Sequence, residues 1–493
     1  MAKIEDLIKT LKENDYKKGD IDLIRKAYEF AEDAHKGQLR KSGDAYIGHP
    51  LETAITLTQM KLDVPTIIAG VLHDVPEDTH YSLIDVEKNF GKEVTQLVLG
   101  VTKLGKIKYR GDEKYVENLR KMFISMAQDI RVILIKMADR LHNMKTLNHL
   151  PPEKQKRIAL EVLEIYAPIA LRLGMGQIKG ELEDLAFPYV FPEEFDWFKK
   201  DIIPRYQVRL EFINGIIKIL KKEIELQKIK YASIHGRTKR YYSLYQKLLR
   251  PQYNRDINKI FDLVAVRIIV QTAEDCYKIL GIIHKLWKPM PGRIKDYIAQ
   301  PKPNNYQSLH TTVFGPDGDP VEFQIRTVEM HDWAEYGIAA HWHYKEMGKY
   351  FFFRIKGFNP KGYRPPKKFA WINELVEWQK QVSNTKEFLK ELKIDAFKER
   401  ILVFTPNGDV IDLPEGATPI DFAYHIHSDI GNRCNGVRIN GQMERLDTKL
   451  QNRDVIEILI DRKRKGPSRD WLRFVKTHKA KTEIRKALGE KKG

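Results

Sequence analysis

Cysteine is nearly missing from this chain: Cys276 and Cys434 are the only two among 493 residues. They stand far apart and unaccompanied, which excludes a disulfide framework and a Cys-based zinc site and leaves both expected to be inert. Also missing is any apolar run near the roughly 20 residues that span a bilayer. The opening Met1-Ala2-Lys3-Ile4-Glu5-Asp6 lacks the apolar region of a signal peptide. A cytoplasmic protein with no membrane partner is therefore expected. There is no internal repeat, which removes the solenoid and array architectures. Acidic residues are in short supply, 67 against 85 Lys and Arg, so the formal charge is +18 and the pI about 9.4. That imbalance favours polyanionic partners, meaning nucleotides, nucleic acid or ribosomes, without choosing among them.

The chain is too long for one core, since domains usually hold about 100–200 residues. From Ile4 to about Glu194 apolar residues recur at helical spacing and alternation is almost absent, so residues 1–195 read as an all-α domain. Trp197 to Lys230 continues as charged helices that look like a spacer. Ile260 to Val270, Leu309 to Phe314 and Val321 to Thr327 then read as strands, Ala273 to Trp287 and Val328 to Tyr344 as helices. Residues 196–346 are thus expected to form a mixed α/β domain, and 347–399 a basic linker and helix. A hairpin signal at Ile401–Phe404, Thr405-Pro406-Asn407-Gly408 and Val410–Leu413 opens a small domain over 400–461. Residues 462–493 form a basic, helix-compatible tail.

The chemistry concentrates first at Val71-Leu72-His73-Asp74-Val75-Pro76-Glu77-Asp78-Thr79. Two metal-capable side chains and two further carboxylates follow an apolar run, and such a cluster is costly against a core unless a cation or partner charges compensate it. Taken alone, a His-Asp pair reads as readily as a helix end with solvated acids. The same domain also offers His49, before Pro50, and Asp139. The latter lies on a polar stripe with Lys136, Asn143 and Thr146, opposite the apolar stripe Ile130, Leu134, Met137, Leu141 and Met144. His49, His73, Asp74 and Asp139 make a mixed nitrogen and oxygen set suited to Mn²⁺ or another borderline divalent ion. A metal there would lower the pKa of bound water, with Glu77 and Asp78 placed to position or deprotonate it. Pro76 disfavours helical geometry at Val75 and is expected to end or kink the helix just past the ligands.

A second concentration lies in the α/β region. Val321, Phe323 and Ile325 alternate with Glu322, Gln324 and Arg326, and Asp262 opens the neighbouring strand. Two carboxylates on adjacent strands suit Mg²⁺ in phosphoryl or pyrophosphoryl transfer. Ordinary salt bridging of an edge-strand acid is the competing reading. Around them Gly236-Arg237-Thr238-Lys239, Lys247, Arg293-Ile294-Lys295-Asp296-Tyr297 and Lys302-Pro303-Asn304-Asn305-Tyr306 supply cations for phosphates and an aromatic for a base, in segments that read as polar loops.

The first set of residues resembles the HD phosphohydrolase superfamily. His35 to Gly43, His49-Pro50, the His73-Asp74 run and Ala138-Asp139-Arg140-Leu141-His142-Asn143-Met144-Lys145-Thr146 narrow it to the hydrolase domain of the long RelA/SpoT homologues. The second set resembles the synthetase domain of that family, through Glu322 to Thr327 and Ala339-Ala340-His341-Trp342. Residues 400–461 resemble the TGS domain. The resemblance implies a bifunctional enzyme of (p)ppGpp metabolism in the stringent response, with an all-α hydrolase domain, a nucleotidyltransferase-like synthetase domain and a small β-grasp-like TGS domain. It would move pyrophosphate from ATP to the 3′-hydroxyl of GDP or GTP, and remove it again with Mn²⁺. The implied metal ligands are His49, His73, Asp74 and Asp139, the catalytic acids Glu77 and Asp78, and the substrate contacts Arg40, Lys41, Asn143 and Thr146. At the other site Asp262 would bind Mg²⁺, Glu322 share it or activate the hydroxyl, and Tyr306 stack guanine. Arg237 and Arg267 would flank adenine, while Lys247, Lys295 and Lys302 serve phosphates. Asp262 and Arg267 are an odd number of residues apart, so a regular strand would point them to opposite faces; a bulge or a later start is required. Arg293 to Asp296 resembles the basic form of a loop that family members without hydrolysis carry in acidic form, which supports a two-way enzyme.

His427 is implied as a contact to the tRNA acceptor end, with a helix-capping role as the alternative, and the ribosome is implied as a partner through the TGS domain and tail. Gly466 to Leu472 looks like the opening of the family's helical domain, the later zinc-finger and ACT-type parts being absent. Helices within 160–235 are expected to couple the two sites. A one-way enzyme, an RNA-end enzyme pairing an HD domain with a nucleotidyltransferase, and a non-catalytic tRNA- or ribosome-binding regulator remain open alternatives.

Overall fold

The computed structural model describes residues 2–105, 122, 124–260, 264–302, 306–340, 400–461, 463–464 and 466–489. Asp262, His341, Trp342 and the expected linker over 347–399 lie outside the described residues. The chain divides into two compact units, Met1–Gln379 and Lys380–Gly493. Its architecture is the expected sequence of an all-α part, a mixed α/β part and a small β-rich part. Among the described residues no helix is long and apolar enough to cross a membrane.

In the all-α part, Gly48–Gln59 and Val64–Leu72 are helices joined by the short link Met60 to Asp63, so they run antiparallel. Asp63 caps the second by accepting from the Thr66 amide at 3.2 Å, and Pro65 stands in the first turn, where its missing N–H costs nothing. Thr66 through Leu72 are all buried. Gly70 lets the pair close, since a Cβ there would lie 2.3 Å from Leu57 Cδ1. The antiparallel arrangement brings His49, at the start of one helix, to His73, just past the end of the other. A third helix, Arg131–Lys145, buries Leu134, Met137, Leu141 and Met144 as the apolar stripe required. Its first residue, Arg131, reaches Asp63 at 2.7 Å and so ties the starts of two helices together.

Pro76 acts differently from expectation. The helix ends at Leu72, before the ligands rather than after them, and a separate one-turn helix, Val75–Asp78, holds Pro76 in its first turn. Proline fits there without losing a hydrogen bond, so its ring sets the start of the turn that carries Glu77 and Asp78.

The α/β part is a five-stranded sheet of β1 (Tyr231–Thr238), β2 (Val264–Val270), β3 (Lys295–Asp296), β4 (Leu309–Phe314) and β5 (Pro320–Thr327), in the order β1-β2-β5-β4-β3. Only β2 and β5 run parallel. Strand β1 has no counterpart in the sequence reading, which placed Gly236 to Lys239 in a loop. It lies at the edge of the sheet, and Ile234 is its one buried residue, so alternation gave no signal. Lys247 likewise lies in a helix, Tyr241–Leu248. The supposed spacer is part of the core: in Ile203–Leu226, residues Ile213, Ile216, Ile217, Leu220 and Ile224 pack with Val266, Ile268 and Phe323. The helix read as Val328 to Tyr344 is interrupted after Tyr336, where Gly337 takes φ 56°, ψ −125°; residues 338–340 are helical again and 341–344 lie outside the described residues.

Gly337 is where the α/β part meets the all-α part. The Ile338 amide donates to the Leu173 carbonyl at 2.9 Å, and a Cβ on Gly337 would stand 2.1 Å from that oxygen and 2.5 Å from the Gly174 carbonyl carbon. Neither contact is with a movable side chain, and the dihedrals belong to a region that is essentially glycine's. Gly337→Ala is expected to destabilise the first unit by about 3 kcal/mol or more, read as a lower urea midpoint. An unchanged midpoint would show that the turn can re-form away from Leu173.

In the second unit β6 (Arg400–Phe404) pairs with β7 (Val410–Pro414) as the hairpin, and β8 (Cys434–Ile439), β9 (Gln442–Glu444) and β10 (Ile456–Ile460) form the order β10-β8-β9. The basic tail is not merely solvated. Helix His478–Ala487 buries Ala480 and Ile484 against Ile420 and Tyr424, and buried Asp421 accepts from the Thr477 amide at 2.7 Å. Both cysteines are buried, which pushes the thiols up, Cys276 to about 12 and Cys434 to about 11.

Candidate active sites

Four side chains converge at the first site, His49 and Asp139 from two helices and His73 and Asp74 from the link between Val64–Leu72 and Val75–Asp78. His49 Nε2 lies 3.2 Å from Asp139 Oδ1 and 3.5 Å from Asp74 Oδ2, and His73 Nε2 lies 3.2 Å from Asp74 Oδ1. His49, His73 and Asp74 can each offer a ligand atom within one small space. His73 Nδ1 is fixed by the Gly70 carbonyl at 2.8 Å, so it carries the proton, and buried Nε2 has no hydrogen-bond partner. A bare imidazole nitrogen among carboxylate oxygens is an arrangement of lone pairs that a divalent cation satisfies. Burial alone would raise the Asp74 pKa, yet His73, His49 and Lys136 hold it below the ordinary value. Burial opposes ionisation of Asp139 too, and is outweighed by Lys136, whose Nζ lies 2.6 Å from Oδ2, so its pKa falls well below the usual range.

The other expected residues stand around this set. Glu77 is half-buried and Asp78 exposed on the short turn. The Tyr46 hydroxyl sits between Asp74 at 2.9 Å and Asp78 at 2.8 Å, and burial followed by those two charges raises its pKa. Arg40 is not free in solvent: it donates to Asn143 Oδ1 at 2.8 Å and Thr146 Oγ1 at 3.4 Å. Lys41 is exposed beside it. Two residues that the sequence reading passed over belong here. Tyr46 stands three residues before His49, and His142 stands three after Asp139 on the same helical face, a spacing that would have found it. Burial, then His49 and Arg40, push the His142 pKa down to about 3.

At the second site the register decides which residues share a face. Arg237, Ala265, Glu322 and Thr312 lie opposite one another across four strands, and His235, Arg267, Gln324 and His310 form the next row on the same face. The register puts Arg267 and Glu322 on one face; Asp262, against which the parity of Arg267 was weighed, lies outside the described residues. The other face packs against helix Ala273–Leu286, with Trp287 stacked on Phe323 at 5.6 Å.

This polar face carries two cavities. One, of about 470 Å³, is lined by Arg237, Lys239, Lys247, Arg293, Lys295, Lys302 and Glu322, among others. Glu322 Oε1 accepts from His310 Nδ1 at 2.8 Å, and His310 Nε2 meets the Tyr306 hydroxyl at 2.8 Å. His310, which the sequence reading did not single out, thus joins the two residues that it did. Lys302 Nζ lies 5.1 Å from the Tyr306 ring centroid. The other cavity, about 640 Å³, lies between this sheet and helix Gly176–Val190, and contains Gln177, Asp184, Arg237, Arg267, Arg326 and Glu335. Arg267 is buried and pairs with Glu335 at 2.9 Å, as does Arg326 at 3.0 Å; burial and the neighbouring Arg326 bring the Arg267 pKa down to about 10. Helix Gly176–Val190 belongs to the segment expected to couple the sites.

Burial raises the Asp184 pKa from 3.8 to about 6. A carboxyl whose folded pKa lies above its unfolded value favours the fold only while protonated, so this contribution is lost as pH rises through about 6. Asp184→Asn keeps an acceptor for the Tyr242 amide, 2.9 Å away, without the charge. It should stabilise the protein on the order of 1–3 kcal/mol at pH 7.5 and have little effect near pH 4.5, as compared by urea unfolding at the two pH values. Equal midpoints for both proteins at pH 7.5 would show that the carboxylate is already compensated.

In the second unit His427 caps helix Ser428–Arg433, its Nδ1 accepting from the Asp429 amide at 3.1 Å. The ring edge bearing Nε2 is left as the part that could meet a ligand.

A helical part in which His and Asp side chains converge, followed by a mixed sheet whose polar face is ringed by cations, sets a candidate metal-binding cluster and a cationic cavity on one chain. The HD domain model matches residues 27–176, the region found in RelA/SpoT proteins matches 236–349, and the TGS domain matches 401–460. Over 470 residues the chain is 49% identical to a GTP pyrophosphokinase of Myxococcus xanthus, covering 94% of this chain and 60% of that protein. It is 47% identical over 490 residues to a GTP pyrophosphokinase of Streptomyces coelicolor, with coverage of 98% and 57%. To the bifunctional (p)ppGpp synthase/hydrolase RelA of Mycobacterium tuberculosis it is 45% identical over 475 residues, with coverage of 95% and 63%. The chain is RelA/SpoT-type in its three matched regions and in its similarity to these proteins, and spans about three fifths of their length.

Proposed function

We propose that the chain is a bifunctional guanosine-polyphosphate enzyme. In synthesis, the 3′-oxygen of GDP or GTP attacks the β-phosphorus of ATP, the bond to the α-phosphate oxygen breaks, and AMP leaves. In hydrolysis, water attacks the phosphorus attached to the 3′-oxygen, releasing pyrophosphate and restoring GDP or GTP. The observation that carries this reading is the presence of two separate acid sites on one chain, His49-His73-Asp74-Asp139 in the helices and Glu322 on the cationic face of the sheet. The names of these relatives point the same way.

At the first site the donor set suits Mn²⁺, which when bound would supply an activated water and polarise a phosphoryl oxygen. His49, His73, Asp74 and Asp139 would hold it, Glu77 and Asp78 would move the proton of the water, and Arg40, Lys41, Asn143 and Thr146 would position the nucleotide. At the second site Asp262 and Glu322 would hold Mg²⁺ or activate the hydroxyl. Tyr306 would stack on guanine, Arg237 and Arg267 would flank adenine, and Lys247, Lys295 and Lys302 would bind phosphates, so that catalysis is mostly positioning and charge neutralisation. Occupancy of the cavity against helix Gly176–Val190 would bias the first site through differential binding. The protein would act in the cytoplasm in the stringent response, with tRNA and the ribosome meeting the TGS domain through His427 and the basic tail.

The test is direct. Incubation with Mg²⁺, ATP and GDP should yield AMP and guanosine tetraphosphate, and the purified tetraphosphate with Mn²⁺ should yield GDP and pyrophosphate. Turnover in one direction alone would replace the two-way reading with a one-way enzyme, and turnover in neither would leave a binding protein.

A further inference from the structure

His142 touches the first site without belonging to the ligand set. Its Nδ1 lies 2.7 Å from Nδ1 of His49 and 3.1 Å from Nη1 of Arg40. A guanidinium can only donate, so His142 Nδ1 is an acceptor and its proton sits on Nε2. The short contact to His49 needs one proton between two nitrogens, and with His142 accepting, that proton is on His49 Nδ1. His49 is therefore left with a bare Nε2, the atom 3.2 Å from Asp139 Oδ1. His73 reaches the same state by another route, its Nδ1 proton donated to the Gly70 carbonyl. One ligand imidazole is set by backbone and the other by a second imidazole.

We propose that His142 is a positioning residue of the metal centre: it accepts the Nδ1 proton of His49, and Arg40 in turn holds it as an acceptor. Partners of this kind fix the tautomer and ring orientation of a metal-bound histidine. Without the acceptor, His49 is free to carry its proton on Nε2, where it blocks the cation, or to rotate away from Asp139. Arg40 acts at one remove on a second ligand as well. It donates to Asn143 Oδ1, and Asn143 Nδ2 donates to Asp139 Oδ1 at 2.5 Å. A side chain read as a substrate contact thus also holds the partners of two ligands. The proposal rests on the metal-centre reading, and its first test needs no nucleotide.

Mn²⁺ is titrated into the full chain and free ion is followed by electron paramagnetic resonance, for the native protein, His142→Leu and His142→Asn. Leucine roughly fills the ring's space without an acceptor, whereas asparagine places Oδ1 near the position of Nδ1. His142→Leu should weaken Mn²⁺ binding about 10–100-fold, and His142→Asn should restore it to within about threefold of the native value. Native affinity in His142→Leu overturns the proposal. So does equal weakening in both variants, because volume rather than the acceptor would then matter. If His142→Leu does not fold, nitrogen shifts of labelled histidine in the native protein decide instead: His49 as the Nδ1–H tautomer supports the proposal, and His49 as the Nε2–H tautomer overturns it. Tight Mn²⁺ binding without turnover of guanosine tetraphosphate would remove the hydrolase reading and leave this one standing.

Discussion

Asp139→Asn should lower hydrolysis of guanosine tetraphosphate about 10³-fold or more, weaken Mn²⁺ binding at least about 100-fold, and leave synthesis within about twofold of the native rate. The substitution preserves shape and removes charge at a residue that is 3% exposed. Asp139 Oδ2 faces Lys136 Nζ at 2.6 Å, while Oδ1 faces His49 Nε2 and accepts from Asn143. An asparagine has one oxygen and one amino group for these two directions. With the amino group towards Lys136, two donors meet and a buried ammonium loses its counter-charge. With the amino group towards His49, a donor stands where a ligand atom is needed. Breaking a buried ion pair in this way costs about 3–5 kcal/mol, so stability should fall as well. Lys136→Met in the same chain separates the two effects, because it removes the stranded cation and should regain most of the stability without regaining Mn²⁺ affinity. Hydrolysis that persists in Asp139→Asn would exclude Asp139 from the metal centre, and a parallel loss of synthesis would mean that the first unit had failed as a whole.

What was legible in the sequence follows from which physical signals are local. The all-α part could be read because its stripes are periodic: Leu134, Met137, Leu141 and Met144 are buried and Asp139 faces the ligand cluster, as a 3.6-residue repeat requires. Strands β4 and β5 could be read because each is a compact run rich in β-branched and aromatic residues between turns. Strand β1 could not, since an edge strand with one buried residue has no alternation to detect. The helix Ile203–Leu226 reads as a spacer for a related reason: charged residues recur along it, whereas its buried Ile213, Ile216, Ile217, Leu220 and Ile224 pack in the core of the sheet. The interruption at Gly337 depends on a carbonyl more than 160 residues earlier, which no local pattern encodes.

The sites divide in the same way. His49, His73, Asp74 and Asp139 were found as residue types suited to one ion, but Tyr46, His142 and His310 were not, because their value lies in a hydrogen bond to a residue from another element. Parity along a single strand cast doubt on Arg267, and only the cross-strand register places it with Glu322. Arg267 nonetheless lies in an ion pair with Glu335, so a base that stacks on its guanidinium must share it with that carboxylate.

Glu322→Gln provides the matching result at the second site. Synthesis should fall about 10³-fold or more, with hydrolysis within about twofold and GDP binding unchanged or tighter. Among the described residues lining the smaller cavity, Glu322 is the only carboxylate, against nine Lys and Arg: Arg237, Lys239, Arg240, Lys247, Arg250, Lys259, Arg293, Lys295 and Lys302. For an anionic nucleotide one negative charge in that setting is repulsive, so its removal should not weaken binding. Its retention therefore needs a role in the reacting state, either holding a cation or taking the proton of the 3′-hydroxyl. Glutamine keeps Oε1 as acceptor for His310 Nδ1 and for Gln324 Nε2, at 2.8 and 3.2 Å, so the local geometry survives. The Mg²⁺ dependence separates the two roles. If Glu322 holds the ion, the residual synthesis of Glu322→Gln will require far more Mg²⁺; if it takes the proton, half-maximal Mg²⁺ will stay where it was and the rate will rise with pH as hydroxide replaces the lost base. A raised GDP dissociation constant with an unchanged turnover number would place Glu322 in binding alone and remove it from the transfer step.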